Sequence, residues 1–503
     1  MFFTFSTSYI ALVVAVLVVA RSIVTLRAKH KLDLPTIGGA GLVQSYVAAY
    51  KFLFGSRDLI QEGYEKYYGK AFKVPMLAGW QILVTGPRMM EEIRMAPELS
   101  TRESLFRECL QMDYTFGPEH LINPYHFQFV QISLGRDIGL RIPALQEEIV
   151  TLFSELIPQT KDWIRLPGAS TGQQIAFRTT TRLLVGLPLC RDQDYKTLND
   201  QWPDSLAKAA ITISVVPQFL KSFVSRSLPF YRSVLDRAMN HVRPLLEERF
   251  EKQGPFGDDA PDKSDDLLTW LMKKAPTNEK SLEAITRRLM ATHFVTYRPL
   301  SLATTEVLYD LAAHPSYVPE LREEVEALVR EHGVTKEGLD KMYKLDSFVK
   351  ECLRLHSSPK ITMSRKVMKD FTFSDGTTIP AGNTIAVAGY AIHHDERSFP
   401  NPEEFDGFRY FRKQDEEQEP GKHQLVTLAH DYVLFGGGRH ACPGRFLVAA
   451  ILKTMLVHVL LTYDVKLEEE GVRPPDEWPG MLVAVPNQTA GVLVRRRELS
   501  SWE

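Results

Sequence analysis

The sequence predicts a mainly α-helical chain with a small β part, carried behind a membrane-spanning helix at the amino terminus. Three observations predict this. Apolar residues recur at helical spacing through most of the chain up to Pro315, and between Ile361 and Tyr390 the period changes to two. The stretch from Phe2 to Leu26 is apolar and nearly uncharged. At 503 residues the chain can bury a large core.

The amino terminus comes first. Phe2 to Ala20 carries no charge and centres on YIALVVAVLVVA; Arg21 interrupts it, and apolar residues resume to Leu26 before RAKHK. From Phe2 to Leu26 the stretch is long enough to span a bilayer, with Arg21 snorkelling near its end. The basic flank on its carboxyl side predicts a body facing the cytoplasm. A cleaved signal peptide is the alternative, but no basic segment precedes the run and no clear A-x-A site follows it. Residues 1–30 are read as anchor and flank, and 31–503 as one folded domain.

After the flank, LDLPTIGGAG is a Pro/Gly-rich hinge. From there to Pro315 the pattern reads as mainly helical, with Glu251 to Asp266 a solvated polar loop. LMATHFVTYRPLSLATTEVLYDLAAHP, Leu289 to Pro315, reads as a long helix with Arg298-Pro299 at its centre. A proline there removes a backbone donor and crowds the carbonyl four residues earlier. Ile361 to Tyr390 alternates around an Asp-Gly and a Pro-Ala-Gly turn, which predicts short strands, and GMLVAVPNQTAGVLVRR reads as a last strand. No internal repeat is visible. Lys plus Arg number 60 against 62 Asp plus Glu, so the charge gives no reason to expect nucleic acid. The four cysteines (Cys109, Cys190, Cys352, Cys442) form no CxxC pair, a reducing-compartment pattern that leaves each open to individual chemistry.

The most informative line is YVLFGGGRHACPGRFLVAAILKTML. Gly436 to Gly438 give a backbone that can approach a flat ligand, and Cys442 stands just before Pro443-Gly444 and an apolar helix. Nearby amides and the positive helix end favour a thiolate there, suited to binding iron. A glycine-rich turn with a buried, inert cysteine is the bland alternative. The full string FGGGRHACPG resembles the haem-binding signature of the cytochrome P-450 family, with Phe435, Gly438, His440, Cys442 and Gly444 at its defining positions. The resemblance implies the family's fold and haem b, with iron held by Cys442.

Further matches follow in family order. KECLR supplies Glu351 and Arg354, one helical turn apart, and FPNPEEFDGFRYF supplies Arg409. The resemblance implies a buried structural cluster of these three. MSRKV places Arg365 where relatives hold a haem propionate, and His440 is the second such residue. The likeness runs from about residue 31 to the end, matches the microsomal, fungal-type members, and is closest in GRHACPGRF to enzymes of secondary metabolism.

Two departures stand out. Where relatives cross the haem with a Trp or His and then an Arg, YHFQFVQISLG keeps His126 but has Gln131, which carries no charge. Where the family's long helix carries a small pair, an acid or polar residue and a threonine, this chain has Val295-Thr296, Arg298 and Pro299. The threonine serves proton delivery to bound dioxygen, which proline cannot. In one reading oxygen chemistry survives, with protons from water, from a substrate hydroxyl or from Thr296. In the other, the enzyme catalyses a rearrangement, cyclisation or dehydration without ordinary oxygen insertion.

The resemblance therefore implies a haem-thiolate monooxygenase anchored by a single pass in the endoplasmic reticulum membrane, its catalytic domain cytoplasmic. It implies an apolar natural product, terpenoid or polyketide-like, as substrate. Electrons come from NADPH through a flavin reductase, the NADPH-cytochrome P-450 reductase, as partner. A haem-binding carrier or sensor is a third reading, disfavoured because the catalytic scaffold is retained.

Overall fold

The computed structural model describes residues 33–39, 42–76, 79–253, 266–357, 359–477 and 484–498. The anchor expected within residues 1–30, most of the loop 251–266 and the first part of the last strand-like segment lie outside these.

A helical body surrounds one long helix, Leu282–Ala313, hereafter the central helix. It starts where the Ser281 side chain accepts the Ala284 amide, and most of its residues are buried. Its main neighbour is the helix Gly168–Leu184. Two glycines let them meet: a Cβ on Gly172 would lie 2.2 Å from Thr305 Oγ1, and one on Gly168 would lie 2.3 Å from the Tyr309 ring.

The central helix stays helical through Pro299, where the sequence led us to expect a fault. Proline's fixed φ is helix-compatible, so its cost is confined to the missing N–H for the Val295 carbonyl and to crowding of that turn. Hydroxyls brace the adjacent turns. Thr296 Oγ1 donates to Thr292 O at 2.8 Å, Ser301 Oγ to Arg298 O at 2.8 Å, and Thr304 Oγ1 to Leu300 O at 2.7 Å.

The β part has ten strands among the described residues: β1 Ala71–Met76, β2 Gly79–Val84, β3 Leu99–Ser100, β4 Ile164–Pro167, β5 Thr362–Val367, β6 Phe371–Thr372, β7 Thr378–Ile379, β8 Thr384–Val387, β9 Tyr463–Leu467 and β10 Gly491–Arg496. They form a five-stranded sheet in the order β1-β2-β8-β5-β3, a three-stranded sheet β4-β10-β9 and a hairpin β6-β7. The strands expected between Ile361 and Tyr390 are β5 to β8. The first part is mainly helical as expected, and strands β1 to β4 are short additions that the sequence pattern did not predict. Phe72, Val74, Ile82, Leu83 and Val84 are all fully buried, so β1 and β2 present near-continuous apolar runs instead of a two-residue alternation.

Two apolar cores result. The larger joins the helices and takes in Cys442 and Phe294 at its edge; the smaller lies under the five-stranded sheet. The helix Arg445–Thr462 is apolar and long enough to cross a bilayer, yet Ile451, Leu452 and Met455 are buried in the larger core. It is a core helix.

Candidate active site

Cys442 closes a loop. Its amide donates to Phe435 O at 2.8 Å, which brings together the two ends of the GGGRHA segment. The loop presses on the helix Pro87–Met95. Gly438, with φ of 65°, is required there, since a Cβ on it would sit 2.6 Å from Arg94 O; one on Gly437 would lie 2.9 Å from the Arg94 side chain, which would have to shift. The sequence assigned these glycines to the approach of a flat ligand; Arg94 takes that space at two of them. Gly436, with φ of 66° and no neighbour nearer than 3.7 Å, is the open one.

The Cys442 thiol is half-buried, three residues before the helix that starts at Arg445. Burial pushes its pKa up, opposed by the amides of Gly444 and Arg445 and by the Arg445 charge. Burial wins, so the apoprotein keeps the proton. The thiolate expected from amides and helix dipole thus needs a metal to displace that proton. Arg445 fixes the loop's exit by donating to Cys442 O at 2.9 Å and Val426 O at 3.1 Å.

Three basic groups lie together beside the loop. Arg365 comes from β5, where a bulge between Thr362 and Arg365 shifts the register. It is 2% exposed and, among the described residues, donates only to Ser364 O at 3.0 Å, with no partner for its Nε. Burial, and then the nearby Arg439, lower its pKa to about 10. His440 is lowered in turn by burial, Arg365 and Arg439. Among the described residues no carboxylate is within ion-pair distance of any of the three. An unbalanced buried guanidinium is costly, and the two propionates of a haem would balance it. The residues present fit that group.

Behind the loop stands a paired cluster. Glu351 and Arg354 are fully buried on the helix Tyr343–His356, and both Arg354 Nε and Nη2 donate to the Glu351 carboxylate at 2.9 Å. Arg409 Nε adds a bond to Glu351 Oε1 at 3.1 Å. Arg354 Nη1 then donates to His393 O at 2.5 Å, and His393 Nε2 accepts the Val433 amide at 2.8 Å, two residues before Phe435. The His393 link was not found in the sequence, since the adjacent pair His393-His394 in AIHHDE carries no spacing signal.

His126 is buried, and Arg288 of the central helix donates to its Nδ1 at 2.9 Å; Arg288 Nε is itself 2.6 Å from Glu279 Oε2. Burial and Arg288 lower His126 to about 3, so it is a neutral acceptor. Gln131 is exposed. At the middle of the central helix, Val295 and Pro299 are exposed and Phe294, Thr296, Arg298 and Leu302 partly so, an accessible stripe separated by buried turns from the exposed first turns. The Thr296 proton is engaged by Thr292 O, which leaves its oxygen free only to accept.

Comparison with known proteins agrees with this geometry. The family described as Cytochrome P450 matches residues 165–494. Cytochrome P450 monooxygenase 151 of Postia placenta is 38% identical over 470 residues, covering 92% of this chain and 94% of its own. Cytochrome P450 monooxygenase CYP512U6 of Ganoderma lucidum is 32% identical, covering 93% of each chain. A solved structure of retinoic acid bound cyanobacterial CYP120A1 superposes with a TM-score of 0.66 at 16% identity, covering 92% of this chain and 99% of that one, a likeness of fold. The chain belongs to the cytochrome P450 family and is a cytochrome P450 monooxygenase.

Proposed function

We propose that the enzyme oxidises an apolar natural product, terpenoid or polyketide-like, in a biosynthetic pathway. The carrying observation is the accessible stripe of Phe294, Val295, Pro299 and Leu302, which offers an apolar surface in the middle of a helix most of whose residues are buried. In the assignment we favour, Cys442 ligates the iron, Arg365 and His440 hold the propionates, and Phe435 and Gly438 shape the loop. Glu351, Arg354 and Arg409 secure that loop from behind, and His126 acts through Arg288. Haem supplies the oxidising chemistry, and the chain positions substrate and excludes water. Electrons come from NADPH through a flavin reductase, and residues 1–30 anchor a cytoplasmic domain at the endoplasmic reticulum.

Reconstitution with reductase, NADPH and a terpenoid and polyketide library should give a product one oxygen atom heavier. Cys442→Ala should lose the thiolate-type carbon monoxide spectrum, and replacement of Cys109, Cys190 or Cys352 should keep it. Pro299 favours a second reading, a redox-neutral rearrangement or cyclisation. Full turnover without oxygen or reductase would establish that reading and end the first.

A further inference from the structure

Arg298 is the one group on the accessible stripe that carries a charge. It is half-buried, and its guanidinium has no hydrogen bond, ion pair or ring beneath it among the described residues. The acid bonded to the neighbouring Tyr297 is already used: Asp200 accepts the Tyr297 hydroxyl on one oxygen and Lys196 Nζ at 2.7 Å on the other. On either side of Arg298 the stripe is mostly apolar, through Phe294, Val295, Pro299 and Leu302; the hydroxyl of Thr296, whose proton goes to Thr292 O, can only accept.

A partly desolvated cation with five unspent donors destabilises the fold unless something else favours keeping it. A planar fork of donors matches a carboxylate, which it can grip through two parallel bonds. A single positive charge balances a single negative one, and the flanking residues can cover only a hydrocarbon body. We propose that Arg298 is the specificity-determining residue for a substrate carboxylate: the substrate is an apolar monocarboxylic acid, its acid end held at the middle turn of the central helix. This deepens the apolar-product reading and rests on it.

The test uses the haem-loaded protein and a panel of fatty and resin acids, each paired with its methyl ester, titrated by the Soret shift on binding. Wild type should bind at least one acid about tenfold or more tightly than its ester, as a charge-assisted bond allows. Arg298→Gln should abolish that preference, Arg298→Lys should keep part of it, and both should retain the thiolate-type carbon monoxide spectrum. Thermal unfolding adds a readout: Arg298→Gln should melt at the wild-type temperature or above, because an unpaired charge is removed. Esters bound as well as every acid, a preference that survives Arg298→Gln, or a clearly lower melting temperature would each overturn the proposal. Loss of the spectrum in wild type itself would instead end the haem-thiolate reading.

Discussion

The environment of Glu351 and that of Arg298 are opposites within one molecule. At Glu351 both carboxylate oxygens are used: Oε2 accepts Arg354 Nε, and Oε1 accepts Arg354 Nη2, the Asp406 amide and Arg409 Nε. At Arg298 no guanidinium donor is used among the described residues, and one residue on, Pro299 has no amide for the Val295 carbonyl. Arg365 resembles Arg298 in this respect, with its orphaned Nε. Glu351 is satisfied from within the chain and serves the fold; a charge left short needs another explanation, and a ligand's group is one.

The sharpest way to break this contrast is at Glu351. Glu351→Ala leaves Arg354 charged and fully buried, and should cost about 3–5 kcal/mol. Little folded haem protein should be recovered, measured by the carbon monoxide spectrum per mole of chain. Arg409→Ala should cost less, because its side chain is 13% exposed and Glu351 keeps both bonds to Arg354. Near-equal losses would mean that the three residues do not divide as their burial indicates.

Acid probes the same side of the molecule more broadly. Burial holds His393 well below its ordinary value, His293 at about 3, and His394 and His458 at about 4. Below pH 6.5, the ordinary value, unfolded histidines take up protons that the folded ones refuse. The unfolded state then binds more protons, so stability falls as pH drops. Denaturant midpoints should be level above about pH 6.5 and fall steeply toward pH 4. His393→Gln, which keeps an acceptor for the Val433 amide without an ionisable ring, should make that fall shallower.

Arg365→Gln should act on the ligand instead of the fold. Removing an unbalanced buried cation should leave the apoprotein at least as stable, while haem is lost more readily to a haem-scavenging acceptor. A destabilised apoprotein would show that Arg365 has a structural partner after all.

Legibility in the sequence divides along similar lines. The Cys442 loop and the Glu351-Arg354 pair were readable through their resemblance to family motifs, each short enough to recognise as a string: eight residues from Phe435 to Cys442, and one helical turn. Arg288 with His126 and His393 with Val433 are separated by 162 and 40 residues, and nothing local marks either pair. Strands β1 and β2 were missed because burial on both faces erases the alternation by which a strand is read. The glycines illustrate a subtler failure. Their need for space was legible, but the occupant at Gly437 and Gly438 is Arg94, more than 300 residues earlier.

The smallest expected effect concerns Pro299. Pro299→Thr returns an amide to the Val295 carbonyl in a helix that is already regular, so stability should rise by about 1–3 kcal/mol, read as a higher melting temperature. The functional consequence is separate. If oxygen insertion is the native reaction, proton delivery lacks a hydroxyl at this turn, since the Thr296 proton is engaged by Thr292 O. With a poorly fitting substrate, wild type should then release much of its NADPH-derived reducing power as hydrogen peroxide. Pro299→Thr should move part of that flux to oxidised product, unless the new hydroxyl also turns back on its own helix, to Val295 O, as Thr296 does to Thr292 O. Pro299→Ala separates the two effects because it restores the amide alone. An equal gain in coupling from alanine would assign the benefit to the backbone, whereas a gain from threonine only would assign it to the hydroxyl.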